Sequence, residues 1–340
     1  MINKEYINEE RAYMKRALQL SQMGAPNVSP NPMVGAVIVA EGRIIGEGYH
    51  RIFGQAHAEV NAVNSVNEAD RHLLEESSMY VTLEPCSHYG KTPPCAELII
   101  RTGIPKVFVA TEDPFLKNKE SGIDKMRAAG VDVVVGLMRE EALWINRRFF
   151  TAHTLKRPYI LLKWAQSADG YMSAKAGEPL KFSTPFTEVA MHRERAMYDA
   201  IMVGTNTVLA DNPRLSCRLW PCRNAGERPL KITFESIRLT GKSNLEAGDI
   251  ILKGNDESLE AFLQRLYSEY GITSLMVEGG AKTLESFISE GLYDEIRLET
   301  ANICIKEGVK APPLPPNLIH FSSEIFGHNE VAIYTQGQIC

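Results

Sequence analysis

Two α/β domains in tandem are predicted, on three observations. The chain has 340 residues, enough for each half to bury its own core. Apolar runs of strand length alternate with amphipathic helical stretches. The alternation breaks near residues 147–158, where basic and aromatic residues mix without a clear period. Hydrophobic residues make up 44% and charged residues 23%, the balance of an ordinary globular protein, which excludes a largely disordered, collagenous or coiled-coil chain.

Along the first half, residues 9–23 carry Tyr13, Met14, Ala17 and Leu18 at helical spacing, with Gly24 as a stop. Val34–Ala40 and Arg43–Tyr49 flank Glu41-Gly42 and predict a hairpin. A helix is expected over His57–Val66, a strand over Met79–Leu83, and a proline-opened helix over Pro93–Arg101. Strand Lys106–Ala110, helix Gly122–Ala129 and strand Val131–Val135 follow. Alternating strands and helices imply a largely parallel sheet covered on both faces. After the break, strands are expected at Tyr159–Ala165, Ala200–Val203, Pro229–Phe234, Ile250–Leu252, Ser274–Val277, Glu295–Thr300 and Val331–Tyr334. Helices are expected at Leu259–Tyr270 and Lys282–Glu290.

The net charge is −5, which argues against a general polyanion-binding surface but leaves room for a local basic phosphate pocket. The first ten residues carry three acids and no apolar core, unlike a signal peptide. Apolar runs such as Val34–Ala40 fall well short of the roughly 20 residues of a membrane helix. Six cysteines are too sparse for a disulfide scaffold, so a cytoplasmic protein with reduced thiols is expected.

The chemistry concentrates in His57-Ala58-Glu59, Pro85-Cys86 and Cys95. One His and two Cys suit tetrahedral zinc with a fourth position open to water. His-x-Glu followed by Pro-Cys and a further Cys is the pattern of zinc deaminases, with the Glu as proton shuttle and not as ligand. On the first turn of a helix, His57 and Glu59 stand about 200° apart, so one holds the metal while the other faces the water. Eight residues separate the two cysteines, Ser87 to Pro94, including His88 and Lys91; this longer loop is a natural place for substrate contacts. A closed structural zinc site is the competing reading. Asn31, in an Asn-Pro turn, offers donor and acceptor to a heterocycle edge, or is simply a turn residue.

In the second half no Gly-x-Gly-x-x-Gly fingerprint occurs. Two glycine turns do, Val203-Gly204-Thr-Asn-Thr207 and Val277-Glu278-Gly279-Gly280, the second opening a helix. Backbone N–H groups at a helix start suit a phosphate, though such turns are often only structural. Arg195, Arg214 and Arg218 are either solvated or forks for a substrate phosphate.

Asn31-Pro-Met-Val-Gly-Ala-Val-Ile-Val39, His57-Ala-Glu59 and Thr82-Leu-Glu-Pro-Cys-Ser-His-Tyr-Gly-Lys-Thr-Pro-Pro-Cys95 resemble the bifunctional riboflavin-biosynthesis deaminase–reductase family. The resemblance continues through Leu162–Gly170, Val203–Pro213 and Val277–Gly280, nearly the whole chain. It implies a cytidine-deaminase-like three-layer α/β/α domain over 1–148, a linker over 149–156 and a dihydrofolate-reductase-like α/β domain over 157–340. The first would remove the 2-amino group of 2,5-diamino-6-ribosylamino-4(3H)-pyrimidinone 5′-phosphate with one Zn2+ per chain. The second would reduce the ribosyl group of the product to ribityl with NADPH. A homo-oligomer, dimer or tetramer, is implied, with no nucleic-acid or membrane partner.

The same resemblance assigns residues. His57, Cys86 and Cys95 would bind zinc, with Glu59 as proton shuttle. Asn31, His50, Lys91 and Asp113 would hold the deaminase substrate. Arg195, Leu215, Arg218 and Glu278 would hold the reductase substrate. Ala165, Thr207, Asp211, Ser236 and the turn Gly280, Ala281, Lys282, Thr283 and Leu284 would meet NADPH. There are departures: Pro179 and Lys181 stand where the family more often has Ser and Trp, and Phe115 replaces a frequent Asn. Two alternatives stay open. One is a zinc deaminase of another base, tRNA or nucleoside, with an accessory domain; the absence of a basic stripe opposes tRNA. The other is a catalytically silent zinc-binding regulator, which would have no use for Glu59.

Overall fold

The computed structural model describes residues 4–89, 93–114, 121–174, 181–220, 229–234, 250–254 and 256–337. Contacts divide the chain into two compact units between Thr154 and Leu155.

In the first unit the elements run α1 (Lys4–Gln22), β1 (Gly35–Ala40), β2 (Arg43–Tyr49), α2 (Ala58–Ser65), a 3-10 segment (Glu68–Glu76), β3 (Ser78–Val81), α3 (Cys95–Arg101), β4 (Lys106–Val109), α4 (Gly122–Ala128), β5 (Asp132–Val135), α5 (Arg139–Ile145) and α6 (Arg147–Leu155). The sheet order is β2-β1-β3-β4-β5. β1 is antiparallel to both neighbours, whereas β3, β4 and β5 are parallel. Side chains alternate between the faces of a strand. Ile38, Met79, Val81, Val107 and Val109 therefore pack on one side with Ala62, Ile99 and Met126 of α2, α3 and α4. Val37, Val39, Tyr80 and Phe108 pack on the other with Met14, Ala17 and Leu18 of α1 and Ala142 of α5. This is the expected three-layer α/β/α arrangement.

Residues 149–156 do not form the expected linker. Most of them belong to α6, because Phe150, Thr151 and Ala152 turn inward and are buried. Phe150 joins the core of the first unit.

The second unit runs β6 (Tyr159–Ser167), β7 (Tyr171–Ala174), α7 (Pro185–Arg195), β8 (Ala200–Met202), α8 (Thr205–Asp211), β9 (Leu230–Phe234), β10 (Ile250–Lys253), α9 (Leu259–Ser268), β11 (Ser274–Val277), α10 (Ala281–Ser289), β12 (Glu295–Ala301), β13 (Gly308–Lys310), β14 (Ile319–Phe326) and β15 (Asn329–Thr335). Its large sheet has the order β10-β9-β8-β11-β6-β12-β15-β14, and β13 pairs with β7 apart from it. The strands from β10 to β12 are parallel; β15 and β14 extend the sheet as an antiparallel hairpin. Ile160, Leu162, Trp164 and Val277 face Phe262, Leu263 and Phe287 of α9 and α10. Tyr159, Leu161, Ile201 and Met276 face Met191 of α7 and Val208 of α8. The mostly parallel sheet with helices on both faces fits the expected dihydrofolate-reductase-like unit. No described helix is long and apolar enough to cross a membrane.

Candidate functional site

The first site lies at the carboxyl ends of β3 and β4, the usual place for a ligand on a parallel sheet. His57 is the residue before α2, and Glu59 sits in that helix's first turn. Cys86 follows β3 by a short loop, and Cys95 opens α3 after Pro94. The ligand atoms of His57, Cys86 and Cys95 all lie within 4.8 Å of one another. His57 Nδ1 is 3.6 Å from Cys86 Sγ and 3.4 Å from Cys95 Sγ. The Cys95 backbone N–H also donates to Cys86 Sγ at 3.3 Å.

These residues fit a metal. Three donors of zinc-like softness converge with no all-protein fourth ligand among the described residues. Glu59 is 3% exposed, and its Oε2 is buried without a hydrogen-bond partner. Burial pushes the Glu59 carboxyl up to about 7, so it exchanges a proton near neutrality. Hydrogen bonding from Cys95, then from His57, holds the Cys86 thiol down at about 4. The same contact with Cys86, with burial, pushes the Cys95 thiol up, while Cys86 raises the pKa of His57. Metal binding displaces such shared protons.

Around the triad is a cleft of about 360 Å3 lined by Asn31, His50, Glu59 and Asp113, so every predicted deaminase residue that is described gathers there. Lys91 and Phe115 lie outside the described residues. His50 Nδ1 is 3.1 Å from the Ala56 carbonyl and must donate to it. Its Nε2 then accepts from Asn31 Nδ2 at 3.3 Å. Burial lowers the pKa of His50, consistent with this neutral form. The Asn31 amide is thus oriented by a neighbour that is itself fixed.

Among the wall residues that sequence reasoning missed are Glu84, Phe149 and His153. Glu84 accepts from the Asp113 backbone N–H at 3.2 Å, the Ser121 hydroxyl at 2.6 Å and the Ile123 N–H at 3.3 Å. One buried carboxylate therefore ties Asp113 to the start of α4, where negative charge is favoured. Its place two residues before Cys86 was the available signal. At the same point Gly122 approaches the Pro85 carbonyl so closely that a Cβ would lie 1.8 Å from its oxygen.

In the second unit the strand order brings β8 and β11 side by side, so the two glycine turns meet at their carboxyl ends. A cleft of about 720 Å3 there is lined by Gly204, Thr207, Gly280, Ala281, Lys282 and Thr283, among others. A Cβ on Gly204 would lie 2.5 Å from Thr283 Oγ1, and one on Gly279 2.8 Å from Thr283 Cβ. The open backbone N–H groups of α10 face a cradle of the kind that takes phosphate. Leu284 does not join it: its side chain is fully buried in the core under the sheet. Ala165 and Asp211 are not among the cleft-lining residues either; Asp211 ends α8 on an exposed surface. Ser236 and Pro179 lie outside the described residues, and Lys181 pairs with Glu188 at 2.7 Å.

Arg195 grips Glu278 through two bonds of 2.6 and 2.7 Å and donates to the Ser216 carbonyl at 3.2 Å. Arg218, exposed, donates to the Ser216 hydroxyl at 3.2 Å. Leu215 is buried with φ of +50, a left-handed backbone rare for its type. Arg195, Leu215, Arg218 and Glu278 are thus brought together, but three nitrogens of Arg195 are already bonded to protein. Burial alone would raise the pKa of Glu278; the charge of Arg195 and its hydrogen bonds lower it instead. Lys163, on β6 beside Glu278, was also missed, although a lysine within an otherwise apolar strand was visible. Burial pulls its pKa down.

The geometry has counterparts in known proteins. Residues 7–111 match the family model of the cytidine and deoxycytidylate deaminase zinc-binding region, and residues 158–308 match that of the RibD C-terminal domain. A riboflavin biosynthesis protein RibD of Aquifex aeolicus is 39% identical over 326 residues, covering 88% of this chain and 89% of its own. One from Bacillus amyloliquefaciens is 35% identical over 332 residues, 90% of this chain and 87% of its own. A Thermotoga maritima crystal structure, described as a diaminohydroxyphosphoribosylaminopyrimidine deaminase/5-amino-6-(5-phosphoribosylamino)uracil reductase, superposes with a TM-score of 0.88. It is 31% identical, covering 97% of this chain and 99% of that one.

Proposed function

The chain belongs to the RibD family of bifunctional riboflavin-biosynthesis enzymes, a deaminase and a reductase using zinc and NADPH, and from that premise we propose how its residues divide the work. The substrate is 2,5-diamino-6-ribosylamino-4(3H)-pyrimidinone 5′-phosphate, which loses its 2-amino group in the first unit. The ribosyl group of the product is reduced to ribityl in the second. The observation that carries the reading is the buried Glu59 carboxylate, with its Oε2 left without a hydrogen-bond partner, beside the His57, Cys86 and Cys95 donor set.

His57, Cys86 and Cys95 hold the zinc. When bound, zinc supplies a water acidified toward neutrality, and NADPH supplies a hydride. Glu59 carries two protons in turn: one from the attacking water to the ring nitrogen, and the second, from the hydroxyl so formed on the ring carbon, to the departing amine. Asn31, oriented by His50, bonds the pyrimidine edge, and Asp113, tied back by Glu84, meets the ribose. Lys91 reaches the phosphate. In the second unit the turn from Gly280 to Thr283, with Thr207 opposite, receives the cofactor; the cofactor roles given to Ala165, Asp211 and Ser236 rest on the family resemblance alone. Arg218 takes the substrate phosphate, with Arg195 held ready by Glu278 and Leu215 shaping the wall. Lys163, a half-buried amine beside Glu278, donates the proton that reduction requires.

The proposed setting is the cytoplasm, which supplies NADPH and keeps thiols reduced. Ile319, Phe321 and Ile325 are exposed along the edge strand β14, which supports self-association into a dimer or tetramer. The test is incubation with the diaminopyrimidinone phosphate, with and without NADPH, reading products by mass. Amine-for-oxygen exchange is expected without NADPH, and a further gain of two hydrogens with it. Reduction of the undeaminated substrate in preference would overturn the order of steps.

A further inference from the structure

Two charged residues on adjacent strands and one at the end of a third form a row on one face of the larger sheet. β12 pairs with β6 so that Arg297 stands opposite Lys163. β11 pairs with β6 so that Val277 stands opposite Leu162, which brings Glu278 beside Lys163. From α7 above this face, Arg195 reaches Glu278. Arg297 is 5% exposed, and Glu299, on the same face two residues later, is fully buried.

The partners of these groups are unequal. Glu299 accepts from the Ser183 hydroxyl at 3.0 Å and from Asn329 Nδ2 at 2.7 Å. Glu278 is held by Arg195. Arg297 Nη1 is buried and has no hydrogen-bond partner. A buried arginine that served the fold alone would spend its donors on acceptors. One that keeps an unmet N–H next to a lysine is placed for its charge.

The groups facing Lys163 are Glu278 just after β11, Glu299 and Arg297 from β12, and Arg195 from α7. The two carboxylates favour the ammonium and the two guanidinium groups oppose it. Arg195 is largely cancelled by its twin bonds to Glu278, so Arg297 is the cation whose field reaches Lys163 with least compensation.

We propose that Arg297 is a positioning residue for the reduction, acting through its charge on the Lys163 amine; this rests on the reading of Lys163 as proton donor. Overall, the C1′–O4′ bond of the ribosyl group breaks and a C1′–H bond forms with the hydride from NADPH. O4′ takes one proton, NADPH ends as NADP+, and Lys163 is left as a neutral amine to be reprotonated from solvent. A neighbouring fixed cation makes Lys163 release that proton more readily, at the moment negative charge grows on O4′.

The test uses the full chain with no NADPH present. Acetic anhydride labelling across pH, read peptide by peptide by mass spectrometry, gives the titration midpoint of Lys163. Arg297→Gln, which removes the charge but keeps polarity, should move that midpoint up by about one pH unit or more. Arg297→Lys, which keeps the charge, should leave it in place. With NADPH and substrate, the alkaline limb of the kcat profile for reduction should rise with the midpoint in Arg297→Gln. An unmoved midpoint in Arg297→Gln, or the same shift in Arg297→Lys, overturns the role given to Arg297. Undiminished reduction by Lys163→Met overturns the underlying reading of Lys163 instead.

Discussion

Glu59 separates catalysis from metal binding at the level of one side chain. Its carboxylate is buried, keeps one oxygen, Oε2, without a hydrogen-bond partner, and lies outside the convergent donor set. Glu59→Gln should therefore lower deamination by about 10²–10⁴-fold while zinc content, measured by metal analysis, stays unchanged. Loss of zinc with activity would make Glu59 a ligand. The Arg195–Glu278 pair allows a second residue-scale prediction, on stability. The pair is 15% and 11% exposed, so Arg195→Met strips a buried carboxylate of its hydrogen-bonded cation, at a cost of about 3–5 kcal/mol. In the native unit the Glu278 pKa lies below its ordinary value, so its contribution is present above the usual carboxylate range and lost as pH falls through the lowered pKa. In Arg195→Met the largest influences that lower the carboxyl pKa are gone and burial raises it relative to the native protein, so that contribution is lost. Urea unfolding should show the gap between variant and native protein widening as pH rises; a gap independent of pH would rule out the Glu278 carboxylate as its cause. The zinc triad was legible in the sequence because its residue types and spacing have few other uses. Lys163, Arg297 and Glu84 were not, because a charge in a strand declares its partners only after the strands are in register.

Among the elements, the strands of the first unit were legible because each is a short apolar run bounded by turn residues. The helices α5 to α8 were missed. Each spans 11 residues or fewer and mixes charged or polar residues with few apolar ones, so too few turns repeat to establish a period. The exposed β14 was missed because an edge strand with little burial on either face shows no clean alternation. At the zinc site the element that matters is α4, which enters no motif. Its start is held by Glu84 and presses Gly122 against the Pro85 carbonyl, one residue before Cys86. Both sides of that contact are backbone, so neither can swing away. Gly122→Ala must push the Pro85–Cys86 segment or α4 outward and spoil the ligand geometry. Zinc affinity, measured by competition with a chelator, should fall by about 10–100-fold, the usual effect of disturbing the support of a ligand. Unchanged affinity would mean the loop absorbs the methyl group without moving Cys86.

At the scale of the whole molecule, each unit has its own sheet with core clusters on both faces. The zinc donors belong entirely to the first unit and the glycine cradle entirely to the second. The sequence showed a boundary near the right place but not its form, because α6 hides its buried side among basic residues. Metal binding draws its free energy from the unit that holds the metal. Cys95→Ser removes a buried ligand at the start of α3 and should release zinc and abolish deamination. The second unit retains its sheet, its cradle and the Glu278–Lys163–Arg297 row. Reduction of substrate that has already been deaminated, followed by NADPH absorbance, should stay within about twofold of the unaltered protein, because the zinc donors and the cradle share no residue. Treating the unaltered protein with a chelator should reproduce the split: deamination falls with zinc content while NADPH oxidation continues. If reduction falls in step with zinc in a variant that remains folded, the two units are energetically coupled and the metal supports both activities.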